Sequence, residues 1–440
     1  MIKRITFSFF ALIFLFSIAK LYSAPGDTTW VTAFDQEFHN WADMHYKPVT
    51  FPDTTHHWEK IIMTYKIGCP TAGCDPWDRV GWLRLFQDTT NNIYYEIARI
   101  VTPYNIVGGS YPGTCTFSFD VTDFMPLLHD NVLFGNYIET WIGGNKGWLA
   151  TIKFAFIEGE AYYKPIKVVN LYQLDYLLYG DTANPHENYL TPQMVMIDPK
   201  ASKVKVRVIT TGHGQGNSGN AAEFINRLHS VVAGNDTTSH FLWRTCSSNP
   251  CSPQGGTWQY ARAGWCPGAG VNPWEVDISS SVSPGNNANL QCLIEAYVNE
   301  CRPTNPNCTT GVTCADCNYN STGHTEPNWK MQAQVVMYKI NPIGVNNGST
   351  AIPKGFKLEQ NFPNPFNPST SINFAIEKNG HVSLNVYNAE GKFIKELMNK
   401  QMISGNYEIK FDGENLPSGV YFYKIEFDGK TDTKKMLLIK

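Results

Sequence analysis

The sequence predicts an all-β protein: two antiparallel sandwiches in tandem, then a smaller C-terminal β-sandwich. Three observations carry that prediction. Through most of the 440 residues, short stretches alternating apolar with polar side chains are separated by Gly, Pro, Asn and Asp clusters, with hardly any run of helical period. A short pattern occurs twice, since Phe117-Ser118-Phe119-Asp120-Val121-Thr122 resembles Trp274-Glu275-Val276-Asp277-Ile278-Ser279. Finally, all 11 Cys and all 12 Trp lie at or before Trp329, so the composition breaks there.

The elements follow in chain order. Lys3 and Arg4 precede an apolar run from Ile5 to Ala19, and Ser23 supplies a small residue before Ala24-Pro25; residues 1–23 therefore read as a signal peptide. The alternative is an uncleaved anchor, but the run falls short of the roughly 20 apolar residues a bilayer needs. Residues 24–165 form the first sandwich and 166–342 the second. The repeat extends through both: Tyr137-Ile138-Glu139-Thr140-Trp141 resembles Leu293-Ile294-Glu295-Ala296-Tyr297, and a further β-like run closes each half, Ile152 to Phe156 and Val335 to Tyr338. Chance similarity is the competing explanation of so short a repeat. Residues 343–354 have no hydrophobic periodicity and read as a linker. Residues 355–440 form the last unit, where Val382, Leu384 and Val386 alternate with polar residues.

Net charge and cysteine content narrow the setting. The formal charge of -3 leaves no basic surface for nucleic acid, and 42% hydrophobic residues exclude disorder. Export makes disulfides the default fate of cysteine. Cys69 and Cys74 can close a tight loop through Pro70 and Gly73. Cys246, Cys251 and Cys266 form a second group, with Cys246 and Cys266 the candidate pair. Cys292, Cys301, Cys308, Cys314 and Cys317 form a third group of open connectivity; its Cys314-x-x-Cys317 spacing also admits zinc, with disulfides favoured. The odd total leaves one thiol over, and Cys115, standing apart, is the candidate.

Several residues have the chemistry of a site. The Cys69–Cys74 turn leads into Asp75-Pro76-Trp77-Asp78-Arg79, where Arg79 favours an ionised Asp78 and the Trp77 indole disfavours it. A surface Asp-Arg pair beside a core Trp is the bland alternative. Glu139 sits in an apolar strand pattern, so its carboxylate needs solvent, a partner or a cleft; its repeat mate Glu295 makes a structural role equally open. The Gly-rich stretch Thr210 to Asn220 lacks the Gly-Lys-Ser/Thr ending of a phosphate-binding loop. With Arg262-Ala263-Gly264-Trp265 these loops offer indole faces beside Asp, Glu and Arg, the ingredients of a sugar-binding cleft and equally of sandwich cores.

Over residues 30–340 the chain resembles the peptide:N-glycosidase F family of bacterial amidases. The strings that carry the likeness are Cys74-Asp75-Pro76-Trp77-Asp78-Arg79, Tyr95-Glu96-Ile97-Ala98-Arg99 leading to Thr102-Pro103-Tyr104, Asp120-Val121-Thr122-Asp123-Phe124, Glu139-Thr140-Trp141, and Arg262-Ala263-Gly264-Trp265-Cys266-Pro267-Gly268. The resemblance implies two jelly rolls with the site between them, and hydrolysis of the amide linking N-acetylglucosamine to asparagine in N-linked glycoproteins or glycopeptides, with no metal or cofactor. It further implies that Asp78 is the primary catalytic carboxylate, that Glu223 assists through a bridging water, and that Glu139 lines the same cleft. Arg79, Trp141, Arg262 and Trp265 would contact or shape the glycan pocket. One departure stands out: the family glutamate sits in a Cys-Ala-Glu-Trp-Cys staple, whereas here Ala221-Ala222-Glu223-Phe224-Ile225 has no cysteine, leaving Phe224 packing to hold Glu223.

The last unit resembles the sorting domain of type IX secretion cargo, through Gln360 to Pro368, Leu416 to Tyr423 and the terminal Lys434 to Lys440. That implies partnership with the type IX machinery and a secreted or surface-attached protein exported through the periplasm; a monomer is expected. Two alternatives remain beside the amidase: a non-catalytic glycan-binding protein on the same scaffold, and a copper monooxygenase. The latter requires clustered histidines, yet His56-His57 is the only close pair.

Overall fold

The computed structural model describes residues 26–104, 113–214, 217–301, 326–341, 355–402 and 404–439. The signal-peptide segment, the linker and Cys308, Cys314 and Cys317 lie outside them.

The first sandwich is built from β1 (Thr28–His39), β2 (His45–Thr50), β3 (Trp58–Gly68), β4 (Val80–Asp88), β5 (Ile93–Val101), β6 (Thr114–Asp120), β7 (Asn131–Ile138) and β8 (Trp148–Glu158). One sheet runs β1-β8-β3-β6 and the facing one β2-β7-β4-β5, the paired-sheet order of a jelly roll. Strand β6 shows why the alternating pattern works: Cys115, Phe117 and Phe119 turn inward while Thr114, Thr116, Ser118 and Asp120 face water.

The second sandwich repeats this wiring with β9 (Tyr163–Leu178), β10 (Gln193–Met196), β11 (Lys203–His213), β12 (Arg227–Ala233), β13 (Asp236–Leu242), β15 (Trp274–Asp277), β16 (Asn287–Ile294) and β17 (Asn328–Ile340). Its sheets run β9-β17-β11-β15 and β10-β16-β12-β13. The repeated sequence segments therefore fall on equivalent strands: β6 and β15 are matching sheet edges, β7 and β16 match, and β8 and β17 match. The short β14 (Ala269–Gly270) leaves the second sandwich and pairs with β5 of the first.

Burial explains the strands that do not alternate. In β4 and β5 nearly every residue is buried, because one face covers the core of the first sandwich and the other meets β11 and β17. The buried charged residues there are paired: Arg99 binds Glu96 at 2.7 Å, and Arg84 binds Asp175 at 2.5 Å. Across the junction Arg99 donates to Thr211 Oγ1 and the Lys330 carbonyl, and Arg207 donates to the Ile97 carbonyl. The sandwiches are thus bonded into one body along a polar seam.

Among the described residues three disulfides have both partners in place. Cys69–Cys74 and Cys246–Cys266 match the expected pairs. Cys115 does not stay free: it bonds Cys251, 136 residues away, and links β6 to the loop after β13. The reason is topological, since β6 turns Cys115 inward where the loop carrying β14 docks. Among the described cysteines the free thiol is instead Cys292, buried on β16, and Cys301 is disulfide-bonded.

The C-terminal unit comprises β18 (Lys357–Leu358), β19 (Ser369–Ile376), β20 (Gly380–Asn388), β21 (Phe393–Met402), β22 (Gly405–Asp412), β23 (Gly419–Phe427) and β24 (Lys430–Leu438). Sheets β18-β19-β22 and β21-β20-β23-β24 enclose a separate core around Val382, Leu384, Tyr423 and Met436.

Candidate active site

The loop between β3 and β4 carries Asp78, and its geometry is set by Asp75. That carboxylate is fully buried and accepts from the Trp77 N–H at 3.0 Å, Arg79 Nε at 2.8 Å and Thr140 Oγ1 at 2.5 Å. The Arg79 N–H bonds Thr102 Oγ1, so the exit of the loop is tied to the end of β5. Behind it the Cys69–Cys74 bond closes the turn with a Cα separation of 4.7 Å. Asp78 is therefore presented by a pinned loop whose neighbours already have partners.

Arg79 differs from its expected role. It is committed to Asp75 and lies 5.2 Å from the Trp141 ring; its effect on Asp78 is smaller than those of Arg262 and Tyr104. Trp77 is 52% exposed, so it is not a core residue. Burial by the surrounding loops pushes the Asp78 carboxyl up, opposed first by the Arg262 guanidinium and then by a hydrogen bond from Tyr104.

Arg262 comes from the second sandwich and is fully buried. It donates to the Thr257 and Tyr260 carbonyls at 3.2 and 2.8 Å and to Thr257 Oγ1 at 3.0 Å. Its Nε also reaches Glu223 Oε1 at 3.4 Å. Glu223 feels the Asp78 charge as well, so the two carboxyls and Arg262 share one electrostatic neighbourhood across the junction. Burial, with the Asp78 charge adding, raises Glu223 to about 7, while Arg262 and the Gly214 N–H act in the opposite sense.

The missing cysteine staple is replaced by backbone. The Ala263 N–H donates to the Glu223 carbonyl at 2.9 Å, and the Gly214 N–H donates to Oε2 at 3.3 Å. Ala222 holds a positive φ of 76° next to Gly212, where a Cβ would lie 1.6 Å from the Ala222 carbonyl oxygen; only glycine permits that approach. Phe224 contributes by lying 5.1 Å from the Arg262 guanidinium. This accounts for Gly212: it admits the Glu223 turn.

The other expected site residues divide into wall and rim. Trp265 is buried, donates to the Gly212 carbonyl at 2.7 Å and lies 4.9 Å from Arg262, so it backs that side chain. Trp141 is 49% exposed and presents a free face. Glu139 anchors its N–H on the Val80 carbonyl and points its carboxylate toward Lys330 Nζ at 3.8 Å; Asp78 and Glu223 are not its partners. Its repeat mate Glu295 pairs with Arg227 and accepts the Leu228 N–H, a structural role that Glu139 does not share.

Tyr104, Thr257 and Lys330 were not singled out from sequence as site residues, nor was Asp75 as the anchor. Asp75-Pro76 does carry a signal, since Asp before Pro favours a turn closed by the aspartate on following N–H groups. Chemically, the arrangement offers one carboxyl that changes protonation near neutral pH beside a second one, both facing a fixed cation. Such a set suits proton transfer with stabilisation of developing negative charge. Among the described residues no three of His, Cys, Asp and Glu converge as a metal requires.

Comparison with known proteins places these features in context. Residues 182–330 match the family described as Peptide-N-glycosidase F, C terminal, and residues 360–440 match the Secretion system C-terminal sorting domain. The chain is 30% identical over 263 residues to peptide-N(4)-(N-acetyl-beta-D-glucosaminyl)asparagine amidase F of Elizabethkingia miricola, covering 57% of this chain and 72% of that protein. The solved structure of PNGase F from Flavobacterium meningosepticum, described as a glycosylasparaginase, superposes with a TM-score of 0.58 at 25% identity, covering 72% of this chain and 98% of the other. PNGF-II shares the fold, with a TM-score of 0.54 at 15% identity over 73% of this chain and 66% of its own.

Proposed function

The chain belongs to the peptide-N-glycosidase F family, and on that premise we propose that Asp78, Glu223 and Arg262 carry its amidase chemistry. The protein is an exported amidase that hydrolyses the bond between N-acetylglucosamine and asparagine, and its sorting domain directs it outward. The residue roles and the periplasmic route are our reading, as are a monomeric state and the division into units 24–165, 166–342 and 355–440.

Water adds to the asparagine side-chain carbonyl carbon, and Asp78 takes the proton that water gives up. Glu223, able to hold a proton up to about 7, relays it through an intervening water and keeps the pair from carrying two full charges. Arg262, rigid in its carbonyl cradle, balances the carboxylate and the charge growing on the carbonyl oxygen. The proton then passes to the departing nitrogen, the C–N bond breaks, and aspartate and a glycosylamine result. Arg79 and Trp141 form a platform on which a sugar ring lies, while Glu139 and Lys330 line the approach.

The observation that carries this reading is the convergence of Asp78 and Glu223 on the buried Arg262. Its test is Asp78→Asn, assayed on a denatured N-glycopeptide by mass spectrometry. Turnover is expected to vanish while the fold persists; full activity would refute the assignment. Glycan binding without turnover by the unmodified chain would select the non-catalytic alternative.

A further inference from the structure

The second sandwich contains a cavity of about 300 Å³ that the amidase chemistry does not use. It lies between the two sheets, with Val208, Leu242 and Met331 as apolar wall. Thr210 and His229 also line it; they are 4% and 2% exposed, yet neither Thr210 Oγ1 nor His229 Nε2 has a hydrogen-bond partner in the protein. Leaving a buried polar group unpaired is costly, so two on one cavity need a reason.

Their chemistry limits the ligand. Burial lowers His229 to about 3, so its imidazole is neutral at physiological pH and Nε2 donates or accepts according to tautomer. A threonine hydroxyl is equally two-sided. Two groups that each donate or accept match hydroxyls, which also do both, and the lining holds no carboxylate to pair an ammonium. Aromatic rings complete the lining: Trp274, stacked on His240 at 3.9 Å, and Trp243, 39% exposed on the solvent side. The volume suits one six-membered ring rather than a chain of them.

We propose that this cavity is a second carbohydrate-binding site, taking a single pyranose ring through hydroxyl contacts to Thr210 and His229 and C–H contacts to Trp243 and Trp274. The site is separate from the cleft but backs onto it: Gly264 lines the cavity, and Arg244, also in the lining, exchanges backbone hydrogen bonds with Arg262.

The test is saturation-transfer NMR on the full chain with N-acetylglucosamine, mannose and galactose, each as free sugar and as methyl glycoside. At least one is expected to bind, and Trp141→Ala, which removes the exposed platform of the cleft, is expected to change its affinity less than twofold. Thr210→Val should weaken binding at least fivefold and Thr210→Ser should restore it, while glycopeptide turnover stays unchanged in both. Binding of the methyl glycoside identifies the end of a glycan antenna as a source; binding of the free sugar alone identifies released monosaccharide. Absence of transfer from all three sugars, or transfer lost in Trp141→Ala but intact in Thr210→Val, would overturn the proposal.

Discussion

Glu223→Gln should stabilise the protein above neutral pH while impairing catalysis. Burial moves the Glu223 carboxyl from its ordinary 4.5 to about 7, so between those values the folded chain keeps a proton that the unfolded chain has lost. Stability therefore falls as pH rises through that window, by about 3 kcal/mol, and the whole cost is present above pH 7. Glutamine is neutral throughout and nearly the same shape, so the variant escapes the cost and also relieves Asp78 of a like charge. The variant's advantage is expected to be near zero at pH 4 and to reach about 3 kcal/mol at pH 8. The joined sandwiches exceed the 150–250 residues for which each kcal/mol is worth roughly 2–4 °C, so the rise in Tm is at most about 6–12 °C. Tryptophan fluorescence is the right probe, because all 12 Trp lie outside the sorting domain. A difference curve that is flat from pH 4 to 8 would mean that Arg262 offsets burial, one that falls with pH that it outweighs burial, and either would refute the reasoning.

Other changes separate positioning from chemistry. Gly212→Ala places a Cβ where the Ala222 carbonyl stands, so the Glu223 turn must move; turnover should fall about 100-fold, read against a destabilisation of about 1–3 kcal/mol in urea unfolding. Asp75→Asn keeps an oxygen for the Trp77 N–H that shapes the Asp78 loop but loses the charge that holds Arg79, so KM for a glycopeptide should rise more than kcat falls in steady-state assays. Removing the Cys115–Cys251 bond by a double serine substitution releases a 136-residue separation, and denaturant unfolding should show a loss of about 5 kcal/mol.

Much of the architecture was legible in the sequence because β-sandwiches write their inward faces as alternation. The short repeat was informative for a physical reason: β6 and β15 are edge strands whose outer faces meet water, so both keep the pattern. The pinned turn ahead of Asp78 was legible because a proline and two nearby cysteines mark it. The Arg262 interaction was not, since the charge that governs Asp78 arrives from 184 residues away through a different sandwich. Cys115 was misjudged because spacing along the chain says nothing about a bond across the junction. Cys292 did leave a trace: Ala288, Leu290, Cys292 and Ile294 alternate as the inward face of β16, where cysteine acts as a small apolar residue. The charges of β4 and β5 look wrong for buried strands until the second sandwich supplies Asp175 and Thr211.

The most direct test of the central claim is digestion of a denatured N-glycopeptide in ¹⁸O-labelled water, followed by mass spectrometry of the peptide. Amide hydrolysis predicts that the glycosylated asparagine becomes aspartate carrying one heavy oxygen, and that the peptide keeps no sugar. A peptide that retains asparagine, or asparagine with one sugar still attached, would show cleavage at a glycosidic bond or none at all and would contradict the account.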